Sequence, residues 1–139
     1  MTYLIDTNVW LQVLRNRSRA DDARRLLESV PPIQMAVTDY AVHSIGLILA
    51  RFGQLERYAP FLRDSRIGDR IAILSLTPTE LGRVPEICQS QKLDFDDAYH
   101  YLAAEIHDLQ VVSFDTDFDR TTRGRRIPAD VLHTLTDET

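Results

Sequence analysis

Asp6, Asp97 and Asp115 are the side chains whose type and placement could do chemistry in this 139-residue sequence. Asp6 ends the apolar run Tyr3-Leu4-Ile5, and Asp115 ends the run from Gln110 to Phe114. Asp97 follows Asp94, which opens an amphipathic stretch in the manner of a helix N-cap. Carboxylates gathered without a counter-charge repel, and one of them takes a strongly raised pKa. A divalent cation removes that conflict. Magnesium and manganese prefer oxygen ligands in octahedral geometry and usually retain waters. A retained water can be activated as a nucleophile while the ion polarises a phosphoryl oxygen. That is the chemistry of phosphodiester hydrolysis, and it needs no cysteine or serine nucleophile. Each aspartate also has a plainer use. Asp94 suits a cap alone, Asp96 a solvated first-turn charge, and Asp6 and Asp97 can cap backbone N–H groups at helix starts. Asp115-Thr116-Asp117-Phe118-Asp119 has the Asp-x-Asp-x-Asp form of a calcium loop, but Arg120 stands where Gly belongs and Arg126 where the closing Glu belongs, which excludes an EF-hand.

The elements that must position these residues alternate along the chain. Strands are expected at Tyr3–Ile5, Ile33–Val37, Ile71–Leu76 and Gln110–Phe114. Helices are expected at about Val9–Leu14, over Arg19–Val30 with Ala23, Leu26, Leu27 and Val30 on one stripe, and from Asp39 with Val42, Ile45, Leu49 and Phe52 at helical spacing. Another covers Leu55–Arg66, where Pro60 demands a kink or a later start. Thr77-Pro78-Thr79-Glu80 reads as a capping box with Pro at the first helical position, and Pro85 bends or shortens that helix. The last stretch, Arg123–Leu135, has room for one more short strand. Strands alternating with helices predict a three-layer α/β/α sandwich around a mainly parallel sheet, one domain over residues 1–139. In such a sheet ligands bind beyond the carboxyl ends of the strands. Asp6 and Asp115 end strands there, and the helix before the last strand starts at that same edge, so the three carboxylates converge on one rim.

Composition agrees with a globular chain: 44% hydrophobic and 27% charged residues. No apolar run reaches the roughly 18 residues of a membrane helix. The N-terminus runs into a strand without a secretory pattern, and the single cysteine, Cys88, reads as a small buried hydrophobe, so the expected compartment is the cytoplasm. A net charge of -5 argues against nucleic-acid binding by overall basicity, yet leaves room for an enzyme acting on nucleic acid through bound cations.

Together the motifs resemble the PIN domain family, metal-dependent ribonucleases that include the VapC toxins of toxin–antitoxin pairs. Leu4-Ile5-Asp6-Thr7-Asn8 is similar to the family's first-strand signature, Leu93-Asp94-Phe95-Asp96-Asp97-Ala98 to its late Asp-Ala helix start, and Val111 through Phe118 to its closing strand followed by Asp-x-Asp-Phe. The resemblance spans nearly the whole chain in the right order. It implies that Asp6, Asp97 and Asp115 are metal ligands for magnesium or manganese, that Asp117 is a fourth acidic contributor, and that Thr7 or Asn8 supports the site by hydrogen bonding. It implies an RNA substrate, a cognate antitoxin partner and a homodimer. One departure stands out. The family usually carries a Glu in the helix after the second strand, where this chain has Ser44 beside His43. Asp39 lies earlier on that helix, where N-terminal capping is its plainer role, and Gly46 points to a close packing contact.

Arg120, Arg123, Arg125 and Arg126, with Arg15, Arg17 and Arg19 as a looser group, are either RNA-phosphate contacts or an ordinary solvated face. Tyr99 and Tyr101 read as packing residues. Three readings remain open: a metal-dependent endoribonuclease; a PIN-like module that binds RNA or protein without turnover, having lost the Glu; and a small-molecule phosphatase. The last is disfavoured because Asn8 stands where a second acidic residue would be expected.

Overall fold

The computed structural model describes residues 1–137. Chain order runs β1 (Tyr3–Ile5), α1 (Thr7–Leu14), α2 (Ala20–Ser29), β2 (Met35–Thr38), α3 (Asp39–Arg51), α4 (Tyr58–Ser65), β3 (Ala72–Leu74), α5 (Pro78–Leu81), α6 (Val84–Gln91), α7 (Phe95–His107), β4 (Gln110–Val112) and α8 (Pro128–Asp137). All strand pairs are parallel, in the order β3-β2-β1-β4, with Tyr3 beside Met35 on one side and Gln110 on the other.

The pleat explains why the strands are apolar at nearly every position, Thr38 and Gln110 being the exceptions. Tyr3, Ile5, Met35, Val37 and Val112 face one core with Val9, Trp10, Leu26, Ile45, Leu49, Phe61 and Val131 from α1, α2, α3, α4 and α8. Leu4, Ala36, Leu74 and Val111 face the other with Val84 and Ile87 of α6 and Ala98, Tyr101 and Leu102 of α7. Successive strand residues point to opposite faces, so a sheet covered on both sides buries β1 and β2 throughout, while Ile73 of the edge strand β3 and Gln110 at the start of β4 stay exposed. This is the three-layer α/β/α sandwich read from the alternation of elements. Among the described residues no helix is long and apolar enough to cross a membrane.

Several boundaries differ from the sequence reading, each for a physical reason. The second strand starts at Met35, because Pro32–Gln34 forms a 3-10 turn first. The expected helix from Leu55 begins as a 3-10 turn, and α4 proper starts at Tyr58, which puts Pro60 in the first turn where its missing N–H costs nothing. Thr77 forms the full capping box with Glu80, but the helix stops at Leu81 and restarts at Val84 with Pro85 in its own first turn. The last strand stops at Val112 instead of Phe114. No further strand forms near Arg123–Leu135: Arg126 makes a single bridge to Val112, after which Pro128 opens α8, with Val131 and Leu135, one turn apart, packed on the core. Gly46 does sit at a close contact, since a Cβ there would lie 3.2 Å from the Tyr58 ring.

Candidate metal centre

The sheet connectivity decides where a site can form. From β1 the chain steps outward to β2 and β3, then crosses to the other side of β1 as β4. The carboxyl ends of β1 and β4 therefore flank the switch point, the place where parallel sheets bind ligands. Asp6 leaves β1 there. Its backbone N–H donates to the Val112 carbonyl (2.9 Å), and its Oδ1 accepts from the Thr7 N–H (2.7 Å) as the N-cap of α1. Opposite, Ser113 leaves β4 fully buried and donates its hydroxyl to Asp6 Oδ2 at 2.6 Å.

Asn8 locks the two exits together. Its Nδ2 donates to Ser113 Oγ (3.1 Å) and lies 3.4 Å from Asp6 Oδ2, while its Oδ1 accepts from the Phe114 N–H. Ser113 Oγ also accepts from the Asp115 N–H (2.9 Å), and Asp115 Oδ1 in turn accepts from the Asp117 N–H (2.8 Å), capping a 3-10 turn over Thr116–Arg120. Asp97 comes from α7, where its N–H donates to the capping Asp94 carboxylate. Ligand oxygens of Asp97, Asp115 and Asp117 lie within 4.8 Å of one another. Asp6 is not part of that group. It sits beneath it, nearly inaccessible, with both oxygens already accepting hydrogen bonds.

The electrostatics register the crowding. Burial first, then the negative charges of Asp94, Asp6 and Asp115, and a side-chain hydrogen bond to Asp115, push the Asp97 carboxyl up to about 8. Asp6 thus acts on the group through its charge even though it stands outside it. The one ion pair reaching these three carboxylates among the described residues is Arg120 on Asp117 (3.3 Å), and Arg120 is also tied to the Lys92 carbonyl. Three half-buried carboxylates with one edge-on guanidinium form an oxygen donor set suited to a hard divalent cation.

The other candidates fall elsewhere. Thr38, not Asp39, caps α3, its Oγ1 accepting from the Ala41 N–H (3.0 Å). Asp39 is the first residue of the helix and accepts from the Tyr99 hydroxyl at 2.6 Å. His43 is exposed, and Ser44 hydrogen-bonds the Tyr40 side chain, so neither enters the acidic group. Thr7 Oγ1 is buried with no partner among the described residues. The arginines after the acidic segment all have acceptors within the protein: Arg123 holds Asp108 and the Leu109 carbonyl, Arg125 holds Asp119 and the Ser113 carbonyl, and Arg126 holds Gln110, the Asp130 carbonyl and Thr134. Arg19 lies over the Phe114 ring, 5.0 Å from its centroid, and Arg15 over Phe52. A cavity of about 510 Å³ on α1, α2 and α4, lined by Trp10, Leu27, Met35 and Phe61 among others, contains none of the four aspartates.

Two residues at the site went unread in the sequence. Ser113 is hidden inside an apolar strand run, yet every link of the Asn8–Asp6–Asp115 network passes through it or beside it. His100, 3% exposed, places Nε2 3.5 Å from Asp6 Oδ1 and Nδ1 3.1 Å from Thr38 Oγ1. The signal was available, because Asp97 and His100 lie three residues apart on one helix and so share a face.

Comparison with known proteins agrees with this fold. A chain of a toxin–antitoxin complex from Klebsiella pneumoniae superposes with a TM-score of 0.73 at 22% identity, covering 91% of this chain and 98% of that one. Mycobacterium tuberculosis VapC20, described as a sarcin–ricin loop cleaving toxin, gives 0.72 at 18% identity over 85% and 93%. FitAcB from Neisseria gonorrhoeae gives 0.72 at 19% identity over 92% and 99%. No curated protein sequence matches the chain. The PIN domain family model matches residues 3–124, a span that contains β1, α7, β4 and all four aspartates, and the chain belongs to the PIN domain family.

Proposed function

We propose that this protein is a divalent-metal-dependent endoribonuclease, acting in the cytoplasm as the toxin of a toxin–antitoxin pair. The observation that carries the reading is the grouping of Asp97, Asp115 and Asp117 at the β1/β4 switch point, with Asp97 pushed toward its neutral form by burial and by its charged neighbours. Asp97, Asp115 and Asp117 would hold magnesium or manganese, with Asp6 as the fourth acidic contributor. The bound ion supplies an activated water and stabilises charge on the phosphoryl group. The chain's own residues do the positioning. Ser113 and Asn8 fix Asp6 relative to the exit of β4, and the Asp115 cap holds Asp117 in place. Membership of the PIN family supports nuclease chemistry, and the toxin–antitoxin complex among the similar structures supports an antitoxin partner; a homodimeric toxin is part of the same proposal, from the family resemblance. Co-purification with the product of an adjacent gene and the mass of the purified protein in solution test those two assignments.

A second reading has one observation in its favour. Ser44 and His43 supply no carboxylate where the family's Glu would stand, so the chain could bind RNA or protein without turnover. Cleavage of labelled RNA by purified protein in manganese, with and without chelator and with Asp97→Asn as control, separates the two. Cleavage lost with chelator and with D97N supports the nuclease. Cleavage surviving both sinks it, and metal-dependent binding without cleavage favours the second reading.

A further inference from the structure

We infer that His100 and Thr38 form a positioning relay that presents a fixed N–H to Asp6 and so sets the metal affinity of the acidic site. The inference rests on the reading that Asp6 belongs to that site.

The three groups come from three elements and are all buried: Thr38 is 0% exposed, His100 3% and Asp6 6%. Thr38 Oγ1 already accepts the Ala41 N–H, so its own proton is free to donate, and the group in reach is His100 Nδ1 at 3.1 Å. With Nδ1 accepting, the ring proton resides on Nε2, which faces Asp6 Oδ1 at 3.5 Å. The opposite tautomer would strand the Thr38 hydroxyl proton in the core and aim a nitrogen lone pair at a carboxylate. A buried donor without an acceptor costs about 1–3 kcal/mol. Tyr40 and Tyr99 pack edge-on against the ring, with centroids 5.6 and 6.4 Å away, and hold its plane. At 3.5 Å the Nε2–Oδ1 contact is longer than an ordinary hydrogen bond and acts as a directed dipole.

Asp6 is thereby held from both sides. Oδ2 accepts from Ser113, and Oδ1 accepts from the Thr7 N–H and faces His100. Thr38, the cap of α3, thus orients a donor that comes from α7. Groups that orient metal-binding carboxylates typically change metal affinity roughly 10–100-fold when removed.

Manganese titration by calorimetry tests the relay in wild type, H100F, H100Q, T38V and the H100Q/T38V double variant. Gln carries an amide N–H at the reach of Nε2 and has no tautomer to set. H100F is expected to bind manganese roughly 10–100-fold more weakly, and H100Q close to wild type. T38V weakens binding in the wild-type background and leaves it unchanged in the H100Q background. A merely structural role for Thr38 would weaken both equally and would overturn the relay, as would H100F binding like wild type. Nitrogen NMR of the imidazole in metal-free protein gives an independent readout: a proton on Nε2, lost from that site in T38V, supports the relay, and a proton on Nδ1 alone overturns it. Wild-type protein that fails to bind manganese while showing the Nε2–H tautomer would remove the metal reading and leave the relay standing.

Discussion

Replacing Asp97 by Asn should make the metal-free protein more stable while removing its response to metal. Its carboxyl titrates at about 8 in the folded chain against an ordinary value of 3.8. The folded state therefore holds a proton that the unfolded state has released across that interval. Stability is full below the unfolded value, falls as pH rises through the interval, and levels off above about 8. At roughly 1.4 kcal/mol per pH unit the span sets a ceiling of ~6 kcal/mol, which solvent screening of a half-buried group reduces to about 2 kcal/mol. D97N carries no such penalty. In chelator at pH 8 it should melt about 5–8 °C above wild type, and the gap should close toward pH 4. Manganese reverses the order, because an ion at 100 times its Kd adds about 2.7 kcal/mol to wild type and little to the variant. Circular-dichroism melts at pH 4, 6 and 8, with chelator and then with manganese, read both effects. Equal melting of the two proteins at pH 8 in chelator, or a gap independent of pH, would refute the charge-crowding argument.

Ser113→Ala removes the donor to Asp6 Oδ2 and leaves the Asp115 N–H without its acceptor in a half-buried loop, so chemical denaturation should show a loss of about 1–3 kcal/mol. Arg125→Ala should lower the melting temperature by releasing Asp119 and the Ser113 carbonyl, without changing the salt dependence of RNA binding; a reduced salt slope would restore a phosphate-contact role. Gly46→Ala should destabilise despite Ala's helix preference of about 1 kcal/mol, because the Tyr58 ring that its Cβ meets is pinned by a hydroxyl bond to the Val42 carbonyl. A stabilised G46A in thermal melting would show that the ring yields.

Much of the rim was legible because it depends on chain direction alone. Asp6 follows a strand, Asp97 begins a helix, and parallel topology sends both to one edge. The membership of the closest group was less legible. Asp117 joins Asp97 and Asp115 because the Asp115 cap curls the next residues into a 3-10 turn, whereas Asp6 is drawn down to Ser113 and His100. Ser113 lay in an apolar run and read as strand, since a single hydroxyl hardly alters a hydrophobic pattern. The partners of the arginines were not legible for another reason. A cluster of like charge in sequence says nothing of acceptors spread over Asp108, Asp119 and backbone carbonyls far away. The terminal helix was missed because its apolar residues are few, although Pro128 at its first position marked the start.

The pairing of β1 with β4 ties the site to the order in which the chain is made. Asp6 leaves the ribosome well before its hydroxyl partner Ser113, which is 107 residues later. At about 5–20 residues per second, the two emerge roughly 5–20 s apart. Nascent chains that have not yet extended β4 hold Asp6 without Ser113, Asp115 or Asp117, so no chain that stops short of Asp117 carries the acidic group. The acidic group is therefore a late product of synthesis, closed only when the last strand and its 3-10 turn have been made.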